Sequence, residues 1–117
     1  MMKRFLFLTA ALALLTASCG AAVNPRDTLT TAMANVRAAE TAGAKDNPKA
    51  ELYLKRATDQ IAEAKKKIAE GDKEDAQRLA ERAAVDAEVA MVLSQAAQER
   101  AKAKRAMKRV ERLKKGM

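Results

Sequence analysis

From Asp72 to Lys115 the chain carries neither glycine nor proline, and no other feature constrains its fold as strongly. Glycine loosens a helix and proline interrupts it. The stretch is filled instead with Ala, Glu, Gln, Lys and Arg, which are strong helix formers. It reads as one continuous helix over 73–114, about 63 Å long at 1.5 Å per residue.

Two shorter helices precede it. Asn24-Pro25 and Asn47-Pro48 each put a capping amide before a proline at the first helical position, where the missing N–H is no loss. Gly71 closes the second helix and Asp72 opens the third, with Glu74 and Asp75 near its positive dipole end. The expected helices are therefore 25–42, 48–69 and 73–114.

Each helix carries small or apolar residues at alternating spacings of three and four, the pattern of a seam facing another helix. The first offers Leu29, Ala32, Val36, Ala39 and Gly43. The second offers Ala50, Leu54, Ala57, Ile61, Ala64 and Ile68. In the third the seam runs through Ala76, Ala80, Ala83, Ala87, Ala90 and Ser94 to Ala97 and Ala101. Leu79, Met91 and Leu93 broaden it. Tyr53 is the only ring beyond the N-terminal segment, so the core is built from close helix approach rather than bulk, with Tyr53 half-buried and its hydroxyl in water. On exposed faces Glu51 is four residues before Lys55 and Glu63 four before Lys67, the favourable order for ion pairs.

The fold class is all-α: an antiparallel three-helix bundle, or a helical hairpin, with a long overhanging C-terminal helix. The second helix, about 33 Å long, is exhausted near Leu93. The remainder of the third must overhang. Because the first helix runs antiparallel to the second, its N-terminus should lie at the Gly71 end, with the overhang pointing the other way. Ser94 to Gln98, where core support ends, is where bending would cost least.

Charge gathers on that overhang. Arg100, Lys102, Lys104, Arg105, Lys108, Arg109, Arg112, Lys114 and Lys115 stand against Glu99 and Glu111, a net of +7. The whole chain has a formal charge of +8, of which Lys3 and Arg4 supply two, so residues 19–98 come to −1. Met107, Val110, Leu113 and Met117 run through the basic segment, making 99–117 a basic amphipathic helix. Anionic lipid head groups, an acidic envelope polymer or a second protein helix would each suit it, self-association included. A solvated, frayed helix end is the plain alternative. Nucleic acid is discounted for an exported chain without aromatics to stack on bases.

Export is read from the other end. Lys3 and Arg4 precede the apolar run Phe5–Leu15 and the small residues Thr16, Ala17 and Ser18, the order of a secretory signal. The run is shorter than the roughly 20 apolar residues a spanning helix needs. Leu15-Thr16-Ala17-Ser18-Cys19 resembles the lipobox of bacterial lipoproteins, with Thr16 where Leu is commonest. In that reading residues 1–18 are a signal peptide and Cys19, the only cysteine, is the lipidation site. Each buried CH₂ contributes about 0.8 kcal/mol, so two or three acyl chains hold stably where one does not. Gly20 follows rather than the Asp that favours inner-membrane retention in enteric bacteria, so an outer-membrane lipoprotein facing the periplasm is expected. Ordinary cleavage near Gly20–Ala22, leaving a soluble periplasmic protein, is the alternative. The segments are then 1–18 signal, 19–24 linker, 25–98 alanine-rich helical domain and 99–117 basic extension.

Catalysis finds little to use. There is no histidine, and the narrow helical core offers no evident concave site for tuned acids and bases. Glu70, Asp72, Glu74 and Asp75 read as helix-end acids rather than a metal site, which wants more oxygen ligands converging on one point. No metal, no cofactor and no enzymatic role are expected.

The stretch Ala38–Ala90 resembles the envelope family called domain of unknown function 4398. The resemblance is carried by the turn Ala42-Gly43-Ala44, then Pro48, Leu54, Ala57, Ala64 and Gly71, and a closing helix with Ala76, Leu79, Ala80, Ala83, Asp86 and Ala87. It implies a lipid-anchored helical domain of the Gram-negative envelope, often joined in relatives to an OmpA-like module that grips peptidoglycan. No such module is expected here, and the basic helix stands in its position. The family brings no catalytic residues to carry over. A looser resemblance to a single tetratricopeptide-like helical pair spans Ala57–Ala83, one copy being too few for a peptide groove.

Two functional expectations follow. One is a structural or adaptor lipoprotein, anchored by Cys19 and touching peptidoglycan or an envelope protein through the basic helix. The other is a soluble periplasmic binding or chaperone-like helical module.

Overall fold

The computed structural model describes residues 23–117; the expected signal 1–18 and Cys19 lie outside the described residues. Helix α1 spans Pro25–Thr41, α2 Pro48–Glu70 and α3 Lys73–Lys115, with a short 3₁₀ turn at Ala44–Asp46 between the first two. These bounds agree with the sequence reading to within a residue.

The punctuation works as the chemistry requires. Asn24 Oδ1 accepts from the Arg26 amide at 3.1 Å. Asn47 Oδ1 accepts from the amides of Lys49 and Ala50 at 3.0 and 3.3 Å. Asp72 Oδ1 accepts from the Asp75 amide at 3.1 Å, so each helix begins with its free N–H groups partly satisfied. At the other end of α2, Gly71 adopts φ 83°. The Asp72 amide then reaches the Lys67 carbonyl at 2.9 Å and the Gly71 amide the Ile68 carbonyl at 3.2 Å, a Schellman closure that needs a left-handed residue.

Both short helices pack on α3, more than on each other. Along α1 and α3 the partners advance together: Gln77 Nε2 donates to Thr28 Oγ1 at 3.0 Å, Asn35 Nδ2 to the Ala84 carbonyl at 3.2 Å and Gln98 Nε2 to the Ala42 carbonyl at 2.8 Å. These helices are parallel. Between α2 and α3 the order reverses, with Gln60 Nε2 donating to Asp86 at 3.0 Å and Asn47 Nδ2 to the Leu93 carbonyl at 3.4 Å. The bundle is therefore up-down-up, with the first turn of α1 beside Ile68 and Lys73 at the Gly71 end.

The core forms two connected clusters. Leu29 and Ile61 meet Ala32, Ala64, Ala80 and Ala83 in one. Leu54 meets Ala39, Ala44, Ala50 and Ala90 in the other, with Tyr53, Met91 and Leu93 packed at its edge. Alanine at the α3 contact line lets the backbones close on one another, and dispersion across that close contact takes the place of large side chains.

Two expectations are corrected. The buried seam of α3 ends at Ser94, with Ala97 half-buried and Ala101 exposed, because α2 begins only at Pro48, opposite Leu93. The ion pairs Glu51–Lys55 and Glu63–Lys67 give way to Lys55–Asp59 at 2.7 Å, Glu63–Lys66 at 4.0 Å and Lys67–Glu70 at 3.3 Å. Each lysine has two carboxylates within about a helical turn, and the weak, solvated attraction does not enforce one choice. Among the described residues no helix is long and apolar enough to cross a membrane.

Candidate functional site

Past Gln98, which ties α3 to the α1–α2 corner, every residue of the chain is exposed. Seventeen helical residues, Glu99–Lys115, thus project about 25 Å without tertiary support. They are helix formers throughout, and Arg112, Lys114 and Lys115 sit at the negative end of the dipole. Helix α3 is continuous through Ser94–Gln98 into the overhang.

All nine basic side chains named from the sequence lie on this projection. Lys102 pairs with Glu99 at 2.8 Å; among the described residues the other eight make no ion pair. They divide by register. Lys104, Arg105, Lys108, Arg112 and Lys115 prolong the face that inside the bundle carries Ala87, Ala90 and Ser94. The packing face of α3 becomes a cationic face once its partners end. Arg100, Lys102, Arg109 and Lys114 flank the opposite side, where Met107, Val110 and Leu113 are 67%, 50% and 64% exposed.

A feature the sequence reading missed lies on that opposite side. The apolar stripe does not begin at Met107: Val85 and Val92 are 59% and 53% exposed over the bundle itself, and a shallow apolar groove runs along Val85, Val89, Val92 and Leu93. The signal was present in the spacing. The stronger alanine seam on the inner face of the same helix drew the reading away from it.

The acids at the α2–α3 turn act as helix-end groups. Asp72 caps α3, Arg78 pairs with Asp75 and lies 3.5 Å from Glu74, and Glu70 joins Lys67. Among the described residues no three His, Cys, Asp or Glu side chains are grouped to hold a metal ion. Tyr53 is half-buried, with the Arg56 guanidinium 5.4 Å from its ring centre, a cation–π arrangement. The concavities between helices are open surface grooves; one of the larger runs along Pro48, Leu52 and Thr58 beside the Lys45–Glu40 pair.

The family model described as Domain of unknown function (DUF4398) matches residues 27–112. No curated protein and no solved structure matches the chain.

Proposed function

The chain belongs to the DUF4398 family, and from that premise we propose that it is a lipid-anchored element of the bacterial envelope that presents the cationic end of α3 to peptidoglycan or an acidic envelope partner. Cys19 is the anchor in this reading, and the outer membrane the site of attachment. The role is structural or adaptor in kind, with no chemistry performed on the partner.

The observation that supports it best is the polarity of the rod. The described chain enters α1 beside Ile68 and Lys73, at the start of α3, and the cations lie at the far end of the same helix. A tether at residue 19 is a few residues from that entry, so the bundle stands between the tether and the charged projection. The reach is about 65 Å along α3. Lys104, Arg105, Lys108, Arg112 and Lys115 share one face over three turns, a spacing suited to a polymer with repeated carboxylates. Attraction of this kind is long-ranged at low salt and screened within about 8 Å at physiological ionic strength.

Two measurements test the reading. Intact mass and fractionation of the wild-type protein from a Gram-negative host, beside Cys19→Ala, should give an acylated Cys19 in the membrane fraction for the first and none for the second. Release of both by osmotic shock would discard the anchor. Deleting 99–117 should abolish co-sedimentation with purified cell wall, and unchanged pelleting would discard the contact.

A further inference from the structure

We infer that the outer face of α3 pairs with the same face of a second copy, as an antiparallel coiled coil over Val85–Lys115. This inference goes beyond the proposed function and does not rest on it. The tether plays no part in it.

The seam is a heptad pattern on the side of α3 away from α1 and α2. Val85, Val89, Val92 and Ala96 lie over the bundle. After Glu99 the same alternation of four and three continues through Ala103, Ala106, Val110 and Leu113, to the last turn of α3 at Lys115. Heptad spacing sustained for over four repeats keeps one line of side chains facing a partner helix and is the condition for supercoiling. Within the bundle the alanine line Ala76–Ser94 is buried, whereas Val85, Val92, Val110 and Leu113 are each at least half exposed. Helix α3 thus has two contact lines, and α1 and α2 occupy one.

The pattern is its own complement when reversed. Laid antiparallel about Ala101, it sets Val89 against Leu113 and Val92 against Val110. Ala96 then meets Ala106, and Glu99 meets Ala103. The large side chains fall near the two ends of the overlap and the alanines at its centre. The one polar position, Glu99, faces a small residue and lies within reach of the second copy's Lys102, so the carboxylate retains a partner.

Charge favours one direction, although the antiparallel register also brings Arg100 beside Arg100 and Lys102 beside Lys102 at its centre. In a parallel pair Glu99 would oppose Glu99, Arg109 would flank Lys114, and two segments of net +7 would lie side by side. Like charges so placed disfavour the arrangement. In the antiparallel pair each basic segment lies along the other copy's Val85–Gln98, whose charged residues are Asp86 and Glu88. Leu93 then lies on the same flank as Met107, and Asp86, which accepts from Gln60 of its own α2 at 3.0 Å, borders the flank that carries Lys114. Lys104, Arg105, Lys108, Arg112 and Lys115 remain on the solvent side.

The test uses the chain from residue 19 with Cys19→Ser, which contains all of the described fold. Sedimentation equilibrium should give twice the chain mass, and the double variant Val92→Asp, Val110→Asp should give the single mass with unchanged core packing, since both side chains are exposed. Unchanged helicity by circular dichroism shows that the variant remains folded. A single mass for the parent, or twice the mass for the variant, overturns the pairing. Orientation is read by mixing Val92→Cys with Val110→Cys under mild oxidation: mixed 92–110 disulfides are expected. Disulfides confined to 92–92 and 110–110 overturn the antiparallel arrangement.

Discussion

Asn47 holds the end of α2 against α3 by donating its side-chain amide to the Leu93 carbonyl at 3.4 Å. The same side chain, through Oδ1, accepts from the amides of Lys49 and Ala50. One residue therefore starts α2 and fixes the level at which α3 loses its neighbour. Five residues later Gln98 makes the last tie, to the Ala42 carbonyl at 2.8 Å.

Replacing Asn47 by Ala removes both functions. Loss of an N-cap amide costs about 0.5–2 kcal/mol, and the lost contact to Leu93 moves the effect toward the upper part of that range. Asn47→Asp keeps the cap acceptor and loses the donor, so it should be the milder change. Urea unfolding of the two variants should rank them in that order, with the midpoint lower for Ala.

The inner seam and the overhang should respond oppositely to an added side chain. Ala87 is fully buried, and Ala87→Leu must force the helices apart at a cost of about 1–3 kcal/mol. Ala101 stands on the prolongation of the same line and is exposed. Ala101→Leu should leave the unfolding free energy within about 0.5 kcal/mol. Equal destabilisation of both would mean that the packed core extends past Ser94.

At Gly71 the backbone alone sets the requirement. Its φ is 83°, and a Cβ built there would meet nothing within 4 Å. Gly71→Ala should therefore destabilise by about 1–2 kcal/mol through left-handed strain rather than clash. Gly71→Asn, which tolerates that conformation better, should recover part of the loss. Thermal unfolding of the three proteins distinguishes strain from packing, because a steric cause would make Asn worse than Ala.

Helix ends, chain direction and the presence of an overhang were legible in the sequence because short-range chemistry fixes them. Asn24, Gly71 and Asp72 each act within one turn of their own position, as does the capping oxygen of Asn47. The length of the overhang followed from counting, since two helices that share a turn at Gly71 and differ in length must end at different levels. Less legible was the fate of Ala97 and Ala101, which carry the seam pattern but outrun their partners; periodicity reports a face and not whether something covers it. Pairings such as Lys55–Asp59 depend on side-chain choices of nearly equal energy. The outer line through Val85 and Val92 was missed because α3 carries two apolar patterns at once, and the two nearly cancel when the helix is judged by a single face.

The cationic face leads to the last expectation. If Lys104, Arg105, Lys108, Arg112 and Lys115 hold an acidic polymer, changing them to Gln singly should weaken cell-wall binding by small, roughly similar steps. No one cation is buried or bound into a network that would make it dominant. The full set of five should reduce binding to the level of the chain lacking 99–117, while helicity persists, since Gln is nearly as good a helix former as Lys or Arg. Raising the salt concentration should release the wild type and affect the fivefold variant little, because screening acts on exposed charges. Pelleting assays across a salt series measure both quantities. A fivefold variant that still binds, with the same salt dependence, would place the contact on another face of the molecule.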